Sequence, residues 1–291
     1  MYLIGLTNKR YANPKGSYIF LLFLLLLLPL VAQAQTDKEK EFQQMEEEIA
    51  SGKLSDDEVF ERYEILVSNF KVGLEKAIDN SRKAIAFAHK KKNEEQEIMY
   101  LTHMGDLYTA SNIMDSARFY FDKAQKLLEG KQYYEMEAYY YKNRGRYYFV
   151  VNDFENAMEH FLKGLDVLRK DKAQKNANKQ SIDTEIFDEV ALLNNIGNVY
   201  NRMKRNDNAM EYLVQAKKVM DNNPNVNFKT YKPAILTSLA RLYMAEGQDE
   251  KALPLMEELY KLTADRAKEG IKEMADFANV LLLFTEYYGH S

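Results

Sequence analysis

Tandem antiparallel helix hairpins in an all-α chain are the fold class that three observations predict. Leu101, Met104, Gly105 and Tyr108 fall three and four residues apart, which places them on one stripe of a helix. Ala117, Phe121 and Ala124 mark a second such stripe, and the polar pair Ser111-Asn112 separates the two. The whole pattern then recurs. It returns as Tyr141, Arg144, Gly145, Tyr148, Ala157, Phe161 and Gly164, and again as Leu193, Ile196, Gly197, Tyr200, Ala209, Leu213 and Ala216. A fourth copy is Leu236, Leu239, Ala240, Tyr243, Ala252, Met256 and Leu259. Matching internal spacing in four copies is the signature of a repeat array, in which each hairpin buries its apolar face against its neighbours.

These positions resemble the tetratricopeptide repeat (TPR) signature, in which an aromatic or apolar residue precedes Leu-Gly, Tyr, then Ala, Phe and Ala. The resemblance covers roughly residues 95–265. It departs from the family in lacking any Trp and the closing Pro, in placing Arg144 before Gly145, and in having Leu259 at a small-residue position. Steps of 40 residues from Gly105 to Gly145, 52 from Gly145 to Gly197 and 43 from Gly197 to Ala240 exceed the minimal 34-residue unit. The chain therefore resembles the longer-helix TPR variety of signalling proteins and kinesin light chains, most closely at Leu193 to Tyr200. What the resemblance implies is a TPR-like solenoid wound as a right-handed superhelix.

Residues 1–34 have the layout of a secretory signal peptide. Lys9, Arg10 and Lys15 lead a 14-residue apolar run from Tyr18 to Val31, followed by Ala32-Gln33-Ala34. The run is short of the roughly 20 residues needed to span a bilayer. Cleavage after Ala34 and an exported, periplasmic location are expected, with membrane attachment only if the segment stays uncleaved. Removing the leader takes the formal charge from −4 to −7, because it holds three basic residues and no acidic one. That acidity argues against nucleic acid as a partner. The absence of cysteine excludes disulfides and lipid attachment at a processed N-terminal cysteine.

Residues 35–94 read as an N-terminal helical arm and a degenerate capping repeat. Thr36 to Ala50 is polar enough to be a solvated helix or mobile arm, broken at Ser51-Gly52. Ser55 to Glu58 is a capping box opening a helix with Phe60, Tyr63, Val67 and Phe70. Ala77, Ser81 and Ala84 lie 40 residues before Ala117, Phe121 and Ala124, so they belong to a divergent copy. Residues 95–265 hold the four repeats. The polar stretch 171–181 accounts for the long third step and reads as a solvated loop or an extension of helix ends. Asn222-Asn223-Pro224 closes the third repeat, and Lys232-Pro233 opens the fourth with Pro in a first helical turn.

Residues 266–291 form a half repeat. Its helix, Lys272 to Tyr288, is apolar on more than one side through Phe277, Val280, Leu281, Leu282, Leu283 and Phe284, with Gly289 placed near a turn. An apolar surface of that kind marks self-association or a partner contact.

No catalytic, cofactor or metal signature emerges. His89, His103, His160 and His290 show no metal-ligand spacing, and His103 reads as an ordinary surface residue near Asp106. Phosphate-binding glycine loops and nucleophile elbows are absent. The tyrosines 133, 134, 139, 140, 141, 147 and 148 read as packing residues, with Tyr141 and Tyr148 at repeat-core positions. The TPR resemblance implies that the first helix of each hairpin lines a concave groove. Carried over, the groove residues are Thr102 and Asp106, then Lys142, Asn143 and Arg146, then Asn194, Asn195 and Asn198, then Thr237 and Arg241. Asn offers donors and an acceptor to a peptide backbone, and Lys or Arg favours a carboxylate. A protein or peptide ligand with an acidic or C-terminal segment is the expected partner. Two functions fit: an exported scaffold, or the extracytoplasmic sensory part of a signalling receptor of the histidine-kinase or helix-turn-helix type. Both layouts resemble those of Bacteroidetes-type bacteria.

Overall fold

In the computed structural model, residues 39–68, 73–264 and 271–290 are described, and among them there are twelve helices and no strand. Residues 1–38 (with the N-terminal leader), 69–72 (with Phe70), 265–270 and 291 lie outside the described residues. Two compact units divide the chain, residues 1–87 and 88–291.

In the first unit, α1 (residues 39–50) and α2 (Asp56–Ser68) precede α3 (Leu74–Lys91), whose last turn belongs to the second unit. Although α1 is as polar as expected, it is not a free arm. Phe42 is 2% exposed, and Glu48 accepts a 2.8 Å bond from Arg62 of α2. One buried aromatic and two ion pairs, the second from Lys76 to Glu46 at 3.4 Å, seat it. The capping box at α2 forms both ways. Glu58 accepts from the Ser55 amide at 2.8 Å, and the Ser55 hydroxyl oxygen accepts from the Glu58 amide at 3.3 Å. Ala77, Ser81 and Ala84 are fully buried, and the Ser81 hydroxyl is satisfied by the Ala77 carbonyl at 2.8 Å.

The second unit is four hairpins and a final helix. The pairs are α4 (Glu94–Ala110) with α5 (Met114–Leu128), and α6 (Tyr134–Val150) with α7 (Phe154–Ala177). They continue with α8 (Asp183–Arg202) against α9 (Asn206–Asn222), and α10 (Lys232–Ala245) against α11 (Asp249–Ala264). The last helix, α12 (Ile271–His290), packs on α11.

The hairpin turns explain the spacing of the repeat. One residue per turn takes a left-handed conformation: Asn112 and Asn152 at φ 60°, Lys204 at 57°, Gly247 at 68°. The next amide then bonds back to the signature tyrosine: Ile113 to the Tyr108 carbonyl, Asp153 to Tyr148 and Arg205 to Tyr200 at 2.9 Å, Gln248 to Tyr243 at 2.8 Å. This is the six-to-one closure that ends a helix through a left-handed residue.

Within each hairpin the small residue of the first helix faces a large one of the second. A Cβ at Gly105 would sit 2.9 Å from the Phe121 ring, at Gly145 2.6 Å from Phe161, and at Gly197 2.8 Å from Leu213. In the fourth hairpin Ala240 has its methyl group, and the flexible Met256 takes the aromatic's place, both fully buried. Each fully buried Phe or Leu of this kind contributes roughly 2–3 kcal/mol.

Of the two readings of 171–181, the extension of helix ends holds through Ala177, because α7 runs on as a 24-residue helix with Asp171 buried. Two expectations are corrected. His103 is buried, not a surface residue. Gly289 lies inside α12 instead of at a turn. Along α12, Val280 and Leu283 enter the core beside Leu236, Met256 and Leu259, whereas Leu281, Leu282 and Tyr288 are 44%, 58% and 65% exposed.

Candidate functional site

The polar residues on the first helices divide into two chemically different sets. Every cation in the row is already matched to a carboxylate on a neighbouring first helix. Lys142 of α6 donates to Asp188 of α8 at 2.6 Å, with both side chains largely buried, and lies 5.2 Å from the Tyr139 ring. Arg146 reaches back to Asp106 of α4 at 2.8 Å, and Arg241 of α10 contacts Glu286 of α12 at 3.4 Å. Tyr231 is close enough to feel Asp188, Arg146 and Asp106; burial first, then the acids, push its hydroxyl up against the opposing Arg146. The ladder ties successive first helices together. A ligand carboxylate would have to displace an internal one at each rung.

The asparagines of α8 are different. Asn194 is 6% exposed, and its Oδ1 has no donor. Asn195 and Asn198 are half-buried on the same two turns, and no side-chain hydrogen bond engages either. An unmatched buried amide oxygen is costly unless a partner completes it, by about 1–3 kcal/mol. The other predicted residues turn inward, and the Thr102 hydroxyl is, like the Asn194 oxygen, buried without a partner. Asn143 is buried and donates to the Tyr139 carbonyl at 2.8 Å, Thr237 donates to the Pro233 carbonyl at 2.8 Å, and Thr102 is fully buried. Between α10 and α12 a recess of about 640 Å³ is lined by Thr237, Arg241, Asp276 and Asn279. The structure thus separates the predicted residues into ion-paired cations, inward-turned amides and hydroxyls, and open amides on α8.

One cluster escaped the sequence reading. Lys175, near the end of α7, has its Nζ 2.6 Å from Glu185 and 3.3 Å from Asp171, and 2.8 Å from Glu135 of α6. Glu185 and Asp171 are buried, and the three carboxylates lie within 4.8 Å of one another. The Lys175 ammonium occupies the spot where a metal ion would otherwise balance such a set. Burial raises the Asp171 carboxyl, with Lys175 opposing. Burial works against the Lys175 charge, but its bonds to Glu135 and Glu185 outweigh this and raise it. One turn along, Glu189 is held by Arg169 at 3.4 Å and Lys172 at 2.8 Å. Basic residues at 169, 172 and 175 facing acids at 185 and 189 were the available signal, three and four residues apart on two consecutive helices.

Two tetratricopeptide repeat family models match the chain, at residues 190–219 and 235–269, and neither describes a catalytic family. They fall on α8–α9 and α10–α11, so the chain carries TPR repeats and unit 88–291 has the fold of a TPR solenoid. Among solved structures the chain is similar to BtubC (BKLC) from P. vanneervenii, at TM-score 0.61 and 18% identity, covering 80% of this chain and 90% of that one. It is similar to a STAND ATPase with a tetratricopeptide repeat sensor from Pyrococcus horikoshii, at TM-score 0.58 and 19% identity over 77% of this chain, and spans about a third (33%) of that protein. A third similar structure is NprR in complex with its cognate peptide NprX, at TM-score 0.56 and 14% identity, covering 90% of this chain and 70% of NprR. No curated protein matches the chain by sequence.

Proposed function

We propose that this protein is an exported TPR scaffold that holds a peptide or an extended protein segment along its first helices. The carrying observation is the set of open amides on α8: Asn194 with its unmatched buried oxygen, flanked by Asn195 and Asn198. Side-chain amides offer donors and an acceptor at once, which suits a ligand's backbone irrespective of its sequence. Lys142 and Arg146 flank that patch as ion pairs, and acidic ligand groups engage them by exchanging with Asp188 and Asp106. The similarity to NprR, whose structure holds a peptide, supports a peptide ligand. Export rests on the leader at 1–34, with cleavage after Ala34.

The test is selection from a displayed random-peptide library, followed by titration of the enriched sequences. Asn195→Ala combined with Asn198→Ala should weaken binding at least tenfold, the equivalent of one or two hydrogen bonds, with helicity unchanged. Enrichment of no sequence, or binders indifferent to both substitutions, would refute the assignment.

A second reading, the sensory part of a signalling receptor, is favoured by the Pyrococcus protein, in which the tetratricopeptide repeats are a sensor. Fractionation of the host with intact-mass measurement separates the two. A soluble species lacking residues 1–34 supports the scaffold, and a heavier membrane-bound species supports the receptor.

A further inference from the structure

Away from the first-helix row, the end of α5 and the faces of α6 and α7 enclose a cleft of about 470 Å³. Its aromatic lining comes from Tyr140, Tyr141 and Tyr148 of α6 and His160 of α7. The imidazole lies 5.7 Å from the Tyr141 ring and 4.8 Å from the Tyr148 ring, so the three form a contiguous π surface. The repeat-core positions Tyr141 and Tyr148 are only half-buried, while their neighbours Tyr140 and Tyr147 are buried. The signature tyrosines therefore present surface to the cleft as well as filling the core.

The polar groups of the cleft are mostly acceptors. His160 Nδ1 lies 2.9 Å from the Asn156 carbonyl, which can only accept, so Nδ1 carries the ring proton. In the neutral ring Nε2 then keeps a lone pair. Burial favours that neutral form, reinforced by Arg144 and Lys163 against the Asn156 carbonyl and Glu159. Glu137 is half-buried, with no hydrogen bond or ion pair to its carboxylate, and its charge is felt at Tyr141. The cations nearby are each matched to a partner, and Arg144 covers one side of Tyr148 from 5.2 Å while bonded to Asp122 at 2.8 Å. Lys163 is bonded to Glu159 at 2.6 Å, Lys170 to Asp166 at 2.6 Å, and Lys131 to Glu94. An unmatched carboxylate, an imidazole lone pair and aromatic faces together suit a positive ligand group: the rings attract it through their quadrupoles and the acid neutralises it. Lys163 already places its ammonium 5.9 Å from the Tyr141 ring centre, which shows that a cation is tolerated over this ring.

We propose that this cleft binds an organic cation, an ammonium or guanidinium group, between Glu137 and the Tyr141–Tyr148–His160 surface. The same chemistry is offered by a free amine or guanidine and by a Lys or Arg side chain of a partner. This site does not depend on the groove reading, since α8 contributes nothing to it.

The experiment is an NMR titration of the full chain, following the ring resonances of Tyr141 and His160. The probes are butylguanidinium and its neutral isostere butylurea, and acetyl-Gly-Arg-Gly-amide with its citrulline counterpart. Each cation should bind at least tenfold more tightly than its urea partner. Glu137→Gln should abolish that preference, whereas Glu155→Gln, exposed on α7 and outside the cleft lining, should stay within about twofold. Binding of both cations identifies a site for free cations, and binding of the tripeptide alone identifies one for a partner's side chain. No saturable shift with either cation, equal binding of cation and urea, or indifference to Glu137→Gln would overturn the proposal. Glu137 is half-exposed and Gln preserves its shape, so a misfolded variant does not confuse the result.

Discussion

Lys175→Met is the most informative single perturbation of the fold. The substitution keeps the side chain's length and apolar stem while deleting a charge that sits 2.6 Å from Glu185, 2.8 Å from Glu135 and 3.3 Å from Asp171. Glu185 and Asp171 would be left buried, adjacent and unopposed. Removing one member of a buried ion pair costs about 3–5 kcal/mol. The protein can limit the loss by protonating one acid. Protonating a carboxyl of ordinary pKa at pH 7 costs roughly 4 kcal/mol, at 1.36 kcal/mol per unit. A destabilisation of about 3–4 kcal/mol at pH 7 follows, or near 10 °C in Tm for a unit of this size.

Lys170→Met provides the internal comparison. Its pair with Asp166 is more than half exposed on both sides, so about 0–0.5 kcal/mol is at stake. The pH dependence has a definite sign. In the variant the buried acids have folded pKa values above their unfolded ones, so the folded state binds more protons. That contribution is favourable below the unfolded values and is lost as pH rises through the folded ones. The variant should therefore recover part of its deficit between pH 7 and pH 5. Thermal melts by circular dichroism at both pH values measure this. A Lys175→Met variant as stable as Lys170→Met, or a deficit unchanged at pH 5, would refute the electrostatic account of the α7–α8 junction.

Three further predictions concern the repeat core and the end of α12. Gly145→Ala should destabilise by about 1–2 kcal/mol, because a methyl 2.6 Å from the Phe161 ring must push it aside and outweighs the gain in helix propensity. Gly289→Ala, with open space around its Cβ, should be neutral or stabilising by under about 1 kcal/mol, and melts of the two variants make the comparison. Arg144→Leu, which installs the residue the repeat pattern normally has, should stay within about 1 kcal/mol of the parent in chemical denaturation. It loses the guanidinium's contacts with Phe121, Tyr147 and Tyr148 but removes a buried Nε that has no acceptor, and Asp122 stays half in water.

Most of the fold was legible because its repeat unit repeats in the residues that pack. Gly105 with Phe121, Gly145 with Phe161 and Gly197 with Leu213 are one small-against-large contact met three times, and spacing alone reveals it. Polar stretches were harder. Residues 171–177 have no apolar stripe, yet they form helix because Lys175 and Lys172 neutralise acids of the next helix. Such pairing joins residues of two helices, so the three- and four-residue spacing within each does not say which acid each cation meets. The seating of α1 was similarly hidden, since Phe42 alone among its apolar residues is buried and its ion pairs reach later helices.

For the predicted groove cations, placement on the first helices was legible but their pairing was not. Family resemblance located Lys142, Arg146 and Arg241 on the first helices, but their partners Asp188, Asp106 and Glu286 lie 46, 40 and 45 residues away in sequence. Only coordinates distinguish a cation awaiting a ligand from one already satisfied. Under the proposed function, the amides of α8 replace those cations as the centre of recognition.

The side-chain amide resonances of Asn194, Asn195 and Asn198 test that claim most directly. With a library-selected peptide added to isotopically labelled protein, these amide protons should shift and slow their exchange with water. The Asn143 amide, already bonded to the Tyr139 carbonyl at 2.8 Å, should stay in place. Peptide binding that leaves the three α8 amides unmoved while shifting resonances elsewhere would contradict the account.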